Sequence, residues 1–249
     1  ANYGGRLSSV LDIRQKEGNS KRFGATGGLG VLSSRILLEG PIVKDELSWL
    51  IAGRRSYADL FLKASSDPAI NRNILYFYDL NAKMNWRIDS KNTVFLSSYF
   101  GRDVFGIQNA FNFAWGNGTV TLRWNSVLRE DLFANFTLVY SDYTYDLGTP
   151  ADQAFTFNWN SRIQNYVTKA AFNWYKSPGF TVDFGLTNTW YTFDPAIISG
   201  SISSRLDRLY ATEPAAYLRF RNELGNRISI DYGLRYSAFA QMGDGTVYD

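Results

Sequence analysis

The stretch Ile228–Gln241, with the sequence ISIDYGLRYSAFAQ, decides the fold of this chain. Every second residue from Ile228 to Ala240 is apolar or aromatic, whereas the residues between them, among them Asp231 and Arg235, are mostly polar or small. A period of two predicts a β-strand with one apolar and one polar face. Ordinary strands have about five or six residues, and a tilted strand that crosses a bilayer needs about 9–11. We therefore predict a strand of a transmembrane β-barrel, with its apolar face toward lipid and its polar face toward a lumen.

The same alternation recurs along the chain, most clearly in Tyr76–Ile88, Thr119–Leu128 and the segment that begins at Phe180. We predict tight turns near residues 42, 90, 130, 177 and 225, which together imply about ten antiparallel barrel strands. The first of these strands is expected over roughly Leu29–Glu39, after one short strand at Leu7–Arg14. Longer connections are expected at the opposite end of the barrel, where they would form outer loops: Leu60–Leu75, Val104–Gly118, Asp146–Arg162 and Phe193–Ala211.

Composition excludes several function classes. The chain has no Cys and no His, which removes thiol nucleophiles, His-containing triads and most zinc chemistry. A net charge of +3, from 26 basic and 23 acidic residues, is too balanced to indicate nucleic-acid binding. No apolar run is long enough for a transmembrane helix. We expect no catalytic residues, no metal and no cofactor, so the protein is not expected to be an enzyme.

Aromatic residues make up 16% of the chain, with 16 Tyr and 7 Trp. Tyr and Trp favour membrane–water interfaces, where the ring is buried and its polar tip stays hydrated. We expect Trp86, Trp124, Trp174 and Trp190 on the lipid face, those near strand ends forming interface girdles. The aromatic residues of the expected outer loops are candidates for recognition outside the cell, with loop packing as an equal alternative: Phe111, Phe113, Trp115, Phe155, Phe157 and Trp159.

The polar face supplies the candidate functional residues. Polar and charged side chains fall at alternate positions of five predicted strands, and they fit either a substrate path or a hydrated wall of the lumen. Asp183 and Asp231 also fit a pair of catalytic carboxylates, but pairing across strands cannot be seen in a sequence, and the wall is favoured. The predicted lumen-lining residues are Asp79, Asn81, Lys83, Asn85, Arg87, Arg123, Asn125, Asp183, Arg219, Arg221, Asp231 and Arg235.

The opening residues Tyr3–Ile13, with the sequence YGGRLSSVLDI, resemble the end of the plug domain of TonB-dependent outer-membrane receptors, most closely the Bacteroidetes type. Later segments resemble the same family in the order that it requires. They are Gly27–Gly30 (GGLG), Leu38–Ile42 (LEGPI), Gly53–Tyr57 (GRRSY), Phe77–Lys83 (FYDLNAK) and Tyr99–Asp103 (YFGRD). The resemblance spans roughly the first hundred residues. It implies a plug–barrel junction formed by Tyr3, Gly4, Gly5, Arg6, Leu7, Ser8, Ser9 and Asp12.

The resemblance implies that residues 1–22 are the end of a plug and its linker, and that residues 23–249 are the N-terminal part of a barrel of about 22 strands. The chain is accordingly expected to be a fragment. It implies active import of a scarce nutrient or metal complex across a Gram-negative outer membrane, energised by the TonB–ExbB–ExbD complex through a part of the protein that lies before Ala1. The lipid bilayer and a possible surface lipoprotein lid are the other implied partners.

Of three alternatives, the first is set aside on the sequence and the other two remain at this stage. A glycine-rich nucleotide loop at Gly24–Gly30 lacks the required strand before it and helix after it, so these glycines are interpreted as small residues where the first barrel strand passes close to the plug. The chain also fits a complete small barrel of ten strands that acts as an adhesin, an enzyme or a passive pore. A third alternative is a scaffold subunit of an outer-membrane protein machine.

Overall fold

The computed structural model describes Gly4, Ser9, Ile13 and residues 15–108, 110–149, 156–201, 203–225, 227–243 and 246–248. These residues form one antiparallel sheet of 14 strands and two short helices, α1 (Ala58–Lys63) and α2 (Pro68–Asn71). In the described part of the chain, no helix is long and apolar enough to cross a membrane. The strands are β1 (Gly24–Leu29), β2 (Ser33–Val43), β3 (Leu47–Ser56), β4 (Ile74–Arg87), β5 (Asn92–Ile107), β6 (Phe111–Arg129), β7 (Leu132–Gly148), β8 (Phe157–Ser177), β9 (Phe180–Gly200), β10 (Ser204–Arg205), β11 (Leu209–Leu224), β12 (Ile228–Ser237), β13 (Ala240–Gly243) and β14 (Thr246–Tyr248).

The sheet follows the chain as a meander in which each long strand pairs with the next one. Ten strands contain ten or more residues, as the sequence predicted: β2 to β9, β11 and β12. Four of the tight turns lie where they were predicted, near residues 90, 130, 177 and 225; the first is centred near residue 45 rather than 42, because β2 continues to Val43. Two of them contain glycine in the left-handed region, Gly179 with φ 77° and Gly225 with φ 63°.

Three of the expected long loops are wrong. The segment Val104–Gly118 is mostly strand, because β5 continues to Ile107 and β6 begins at Phe111. Asp146–Arg162 and Phe193–Ala211 are likewise shortened by strands that continue past the expected bilayer edge, and β8 and β9 have 21 residues each. Beyond the bilayer both faces of a strand meet water, so the apolar alternation disappears from the sequence while the backbone ladder persists. The fourth segment, Leu60–Leu75, lies mostly outside strands and contains most of α1 and all of α2.

The start of the sheet also differs from the prediction. The glycine-rich segment forms β1, which pairs with β2 from Gly24 opposite Glu39 to Leu29 opposite Ser34. Glycine has low strand propensity, so β1 was not predicted from the sequence. The next strand, β2, begins at Ser33 rather than at Leu29. The short strand expected at Leu7–Arg14 lies largely outside the described residues.

The stretch Ile228–Gln241 was predicted as one strand, but it forms two strands with a short break between them. β12 ends at Ser237, and β13 resumes at Ala240 in the same register against β11. Pro214 of β11 lies opposite the gap, where its carbonyl accepts a hydrogen bond from the Ala238 N–H at 3.0 Å. Proline has no N–H to return the second bond of this pair, so the ladder breaks there.

The two faces of the sheet have an inverted pattern of burial. On the apolar face, defined by the side chains of Leu80, Leu122 and Leu186, large hydrophobic residues are exposed, and Leu186 is 63% exposed. On the opposite polar face Lys83 is only 8% exposed, and Asn85 and Asp183 are also buried. A water-soluble protein has the reverse arrangement. The sheet is therefore part of a transmembrane barrel whose apolar face meets lipid.

Tryptophans mark one edge of the apolar face, next to the tight turns. Trp86 and Trp124 are exposed on this face, as predicted. The indole N–H of Trp124 donates to the Asn92 side chain at 3.0 Å, and that of Trp174 donates to the Asp131 carboxylate at 2.8 Å. Each ring thus lies against the apolar band while its nitrogen is bonded to a polar residue at or beside a turn, which is the arrangement of an interface girdle.

Candidate functional site

All of the predicted lining residues lie on strands of the sheet and point to the polar face. Those of β4 alternate with the exposed Leu80 and Met84, and the antiparallel register carries the same face to Arg123 and Asn125 on β6. It continues through β7, β8 and β9 to the predicted residues of β9, β11 and β12. The structure brings them together in two groups, one on β3 to β6 and one on β8 to β12.

The first group is built around β4. Asp79 forms an ion pair with Arg54 of β3, with an N–O distance of 2.7 Å. The next two polar residues hold Gln15: its side-chain nitrogen donates to Asn81 at 2.7 Å, and Lys83 Nζ donates to its backbone carbonyl at 2.9 Å. The chain that leads into the sheet therefore lies on the polar face.

Two cations of this group share one aromatic ring. The Phe95 ring has Lys83 Nζ 5.6 Å and the Arg123 guanidinium 4.7 Å from its centroid. Such cation–π contacts compensate part of the cost of keeping charges away from bulk water. Arg123 Nε and both polar side-chain atoms of Asn85 are buried without a hydrogen-bond partner. Because buried polar groups are nearly always bonded, this part of the wall retains donors and an acceptor for a further polar surface.

The second group is an ion-pair network. Arg219 lies 3.7 Å from the Asp183 carboxylate and 3.1 Å from that of Asp231, and Asp231 also pairs with Arg221 at 3.1 Å. Asp183 in addition accepts a hydrogen bond from the Asn173 side chain at 2.6 Å. Arg219 thus lies between the two carboxylates and pairs with both, which is the arrangement of a structural ion-pair network rather than of two carboxylates facing a common substrate.

The remaining predicted residues complete the same wall. Asn125 accepts a hydrogen bond from Asn135 at 2.6 Å, and Arg87 lies at the exposed turn end of β4. A Cβ atom on Gly4 would lie 2.5 Å from Cδ of Arg235, so the glycine allows the N-terminal segment to approach β12. Of the predicted plug–barrel junction, only Gly4 and Ser9 are described; Tyr3, Gly5, Arg6, Leu7, Ser8 and Asp12 lie outside the described residues.

The segment that follows Gln15, residues 16–20, is fixed to β2 and β3. Lys16 pairs with Glu39 at 2.8 Å, and the Asn19 N–H donates to the same carboxylate at 3.2 Å. At Gly18 a Cβ atom would lie 2.2 Å from the Trp49 carbonyl oxygen, so no other residue fits there without a backbone shift. The carbonyl of Ser20 accepts a hydrogen bond from the Asp45 N–H at 2.9 Å.

The end of the polar face opposite the tight turns carries aromatic rings. Phe113 of β6 packs against Trp115 with 4.7 Å between ring centroids, and against Tyr145 of β7 at 5.0 Å. A cavity of about 730 Å³ lies farther along this end, lined by Asn165, Tyr191, Glu213 and other residues. Tyr191 donates a hydrogen bond to Glu213 at 2.8 Å, so the cavity contains a carboxylate beside aromatic surface.

The structure corrects the prediction for the aromatic residues that were expected in outer loops. Phe113 and Trp115 were expected in an outer loop, but they are strand residues of the polar face. Trp159 is also in a strand, where its indole N–H donates to Ser161 and to the Pro195 carbonyl, both at 3.3 Å. Phe155 lies outside the described residues.

Three residues that contact the predicted lining residues could not be identified from the sequence. They are Arg54, which pairs with Asp79, Phe95, which contacts Lys83 and Arg123, and Asn173, which bonds to Asp183. Alternation from Thr93 places Phe95 on the polar face, so an aromatic residue among polar neighbours was the available signal. Arg54 and Asn173 could not be found in this way, because their roles depend on the register between strands.

The arrangement supports binding and lining rather than chemistry. Among the described residues, no cluster of carboxylates could hold a metal ion. The charged side chains of the two groups are mostly paired, and they lie along a face rather than around one reacting position. Such a wall can hydrogen-bond a plug or guide a polar solute.

Comparison with known proteins gives matches in structure only. No family model matches the chain, and no curated protein matches by sequence. Among solved structures, the copper transporter OprC is similar over 91% of this chain and 39% of its own, with a TM-score of 0.68 and 10% identity. BauA, the ferric preacinetobactin receptor of Acinetobacter baumannii, is similar over 91% and 42%, with a TM-score of 0.66 and 11% identity.

A third similar structure is a mutant of PfeA, the ferric enterobactin receptor of Pseudomonas aeruginosa. It matches 84% of this chain and 38% of its own length, with a TM-score of 0.63 and 13% identity. The chain thus spans about 40% of the length of the proteins that it resembles. At these identities the similarity shows the fold. The chain has the antiparallel β-barrel fold of these transport receptors, as a partial barrel.

Proposed function

We propose that this chain is part of a TonB-dependent outer-membrane receptor that imports a scarce nutrient or metal complex. The observation that supports this most directly is the chain segment from Gln15 to Ser20, which lies on the polar face and is held there by Asn81, Lys83 and Glu39. A segment that precedes the first strand and is bonded along the polar face is what the junction between a plug domain and a barrel requires. Structures with the same barrel fold are named as transporters or receptors of copper and of ferric siderophores.

In this proposal residues 1–22 are the end of a plug domain and its linker, and residues 23–249 are barrel. The polar face lines the lumen, with its first group facing the plug and the second group continuing the wall. The aromatic end around Phe113 and Trp115 meets the ligand from outside. Force transmitted by TonB, ExbB and ExbD then rearranges the plug and opens a path along the wall. The Bacteroidetes type and a surface lipoprotein lid remain part of the same proposal.

The test is genetic and uses defined probes. Deleting the gene should abolish energy-dependent uptake of at least one of copper(II), ferric enterobactin or cyanocobalamin. Deleting tonB in the same strain should add nothing to that defect. Uptake of all three probes that is the same with and without the gene would contradict import of these ligand classes.

A conductance measurement separates import from the small-pore alternative. The purified polypeptide that carries this chain should give no steady ion conductance in a planar bilayer, because a plug fills the lumen. A stable open channel would overturn the proposal in favour of a pore. Unchanged import without TonB, together with a stable co-purifying lipoprotein, would instead favour a scaffold subunit.

A further inference from the structure

The polar face becomes aromatic and acidic toward the end opposite the tight turns. Arg123 and Lys169 lie in one row across this face, because both are opposite Thr137 of β7 in the register. Beyond that row, the described residues of β5 to β9 and of β11 place Asp103 and Glu213 on the face, but no lysine or arginine. We call this region the outer polar face. Its described charged side chains are therefore acidic, and they favour a positively charged solute.

Aromatic rings cover much of the outer polar face. Phe113, Trp115 and Tyr145 pack together on β6 and β7, and Asp103 of β5 lies opposite Trp115 in the register. Tyr191 adds a further ring on β9. The face of an aromatic ring is electronegative and attracts ammonium and guanidinium groups. The rings and the carboxylates thus favour the same kind of ligand, which is a cation with apolar surface.

The cavity of about 730 Å³ is the concave part of the outer polar face. Its volume is in the range of small-molecule sites, and none of the described residues that line it is a lysine or an arginine. Asn165 lines the cavity, and its Oδ1 atom is buried without a hydrogen-bond partner. Because buried polar atoms are nearly always bonded, this acceptor is available to a ligand that brings a donor.

Glu213 is the carboxylate of the cavity. It accepts a hydrogen bond from Tyr191 at 2.8 Å, and the two oxygens of a carboxylate can accept several donors at once. The row of Lys169 crosses β11 two residues nearer the tight turns, at Ala215, and Arg235 lies opposite Tyr217, a further two residues along. A solute that enters from the outer end therefore meets the carboxylate before it meets either cation.

We propose that the ligand of this barrel is a cation with an apolar or aromatic body, and that the cavity binds its charged nitrogen through Glu213 and Asn165. The ring of Tyr191 and the neighbouring Phe193 and Phe239 pack against the apolar body. The inference rests on the proposed function, for which it names the class of ligand. Among the solutes that such a receptor could import, it selects cations over anionic chelates.

The test compares fluorescent probes that share one aromatic ring system and differ in charge. They are dansylcadaverine, which carries a primary ammonium group, its neutral N-acetyl derivative, and the anionic dansyl-aminohexanoate. Fluorescence anisotropy measures their binding to the complete polypeptide in phosphatidylcholine nanodiscs, and empty nanodiscs give the background from lipid. The cationic probe should bind about tenfold more tightly than the neutral one, because a hydrogen bond between charged groups adds about that factor. The anionic probe should bind most weakly.

Substitutions of the same size locate the site. Glu213→Gln removes the charge but keeps an acceptor for Tyr191, so the affinity for the cationic probe should fall about tenfold while that for the neutral probe stays unchanged. Asn165→Asp adds a carboxylate and should raise the affinity for the cationic probe. The matched control is Asp146→Asn, which removes one negative charge at the same end of the sheet but on the opposite face, where Asp146 pairs with Arg102 at 3.4 Å. It should bind all probes as the wild type does.

Gel mobility without heating verifies that each variant barrel is folded. Equal affinity of the wild type for the cationic and neutral probes would show a site for uncharged ligands and would overturn the proposal. Tighter binding of the anionic probe, no saturable binding of the cationic probe, or unchanged binding by the folded Glu213→Gln variant would overturn it as well. Import fails separately, because binding is measured on purified protein without TonB: a protein that binds the cationic probe as expected but imports nothing contradicts only the proposed function.

Discussion

Lys83 is the residue whose environment departs most from that of an ordinary surface lysine. It is buried, it donates to the Gln15 carbonyl at 2.9 Å, and it lies near the Phe95 ring. Its alternation with Leu80 and Met84 was visible in the sequence, so its face could be predicted. Its partner could not, because Gln15 is 68 residues away and no local pattern specifies that contact.

We expect Lys83→Met to loosen the segment that begins at Gln15. The substitution keeps the length and apolar contacts of the side chain but removes the donor to the Gln15 carbonyl. A hydrogen bond from a charged group contributes about 1.5–3 kcal/mol, so local opening should become about tenfold more frequent or more. Limited trypsin digestion measures this as faster cleavage after Lys16.

The control is cleavage after Lys91 in the β4–β5 turn, which should keep its wild-type rate. Lys91→Met, an exposed substitution of the same type, should leave cleavage after Lys16 unchanged. If Lys83→Met left both rates unchanged, the contact would not hold the segment to the wall.

Asp131, in the β6–β7 turn, should make the Trp174 girdle contact sensitive to pH. The hydrogen bond from the Trp174 indole lowers the pKa of this carboxyl below its ordinary 3.8, and the nearby Arg129 adds to the effect. A carboxyl whose pKa is lowered on folding stabilises the fold above its unfolded pKa, and this contribution is lost as the pH falls through the folded value. The contact should therefore persist at pH 5 and disappear only below pH 3.8.

The measurement is the pH titration of tryptophan fluorescence between pH 6 and 2, as the difference between wild type and Asp131→Asn. The difference should show one transition below the ordinary carboxyl pKa. Trp174→Phe should move the carboxyl titration, followed by NMR, back toward the ordinary value. A transition at or above pH 4 in the wild type would contradict the lowered pKa.

At the scale of the element, the turns were the most predictable part of the fold. Tight turns need particular residues, and Gly179 and Gly225 provide the left-handed conformation at two of them. The upper ends of the strands were poorly predictable, because outside the bilayer neither face requires apolar residues. Pro214 was visible in the sequence, but the break that it causes between β12 and β13 depends on which residue faces it.

The two turn glycines predict unequal costs of substitution by alanine. Both have positive φ, so alanine pays about 1 kcal/mol at each for the left-handed conformation. At Gly179 the new Cβ would also lie 3.1 Å from the Glu223 carbonyl oxygen, whereas at Gly225 it would meet nothing within 4 Å. Gly179→Ala should therefore destabilise the barrel more than Gly225→Ala, by roughly 1 kcal/mol.

Urea unfolding of the barrel in lipid vesicles measures both free energies, and Gly225→Ala is the matched control for backbone strain alone. Equal destabilisation by the two substitutions would show that the β8–β9 turn relaxes away from Glu223, and the predicted difference would then be wrong.

At the scale of the whole molecule, period-two alternation was enough to predict a barrel, because the bilayer reverses the usual rule for which residues are buried. Leu122 is 42% exposed in this sheet while Lys83 is buried, and no aqueous core explains both. Strand order followed from short turns between successive strands. The ion-pair network of Arg219 with Asp183 and Asp231 could not be predicted, because it depends on register across three strands.

Two adjacent positions of β6 test the placement of the entire sheet in the membrane. Leu122 lies on the apolar face, and Thr121 lies on the polar face beside Ser97 and Val139. A lysine on the lipid face near the bilayer midplane costs about 2–4 kcal/mol, whereas a lysine on the lumen face costs little. Leu122→Lys should lower the free energy of unfolding in lipid vesicles by that amount, and Thr121→Lys should change it by less than about 1 kcal/mol. Because both variants add the same charge to the same strand, a larger loss for Thr121→Lys would reverse the assignment of faces, and with it the proposed lumen wall and the proposed path for a ligand.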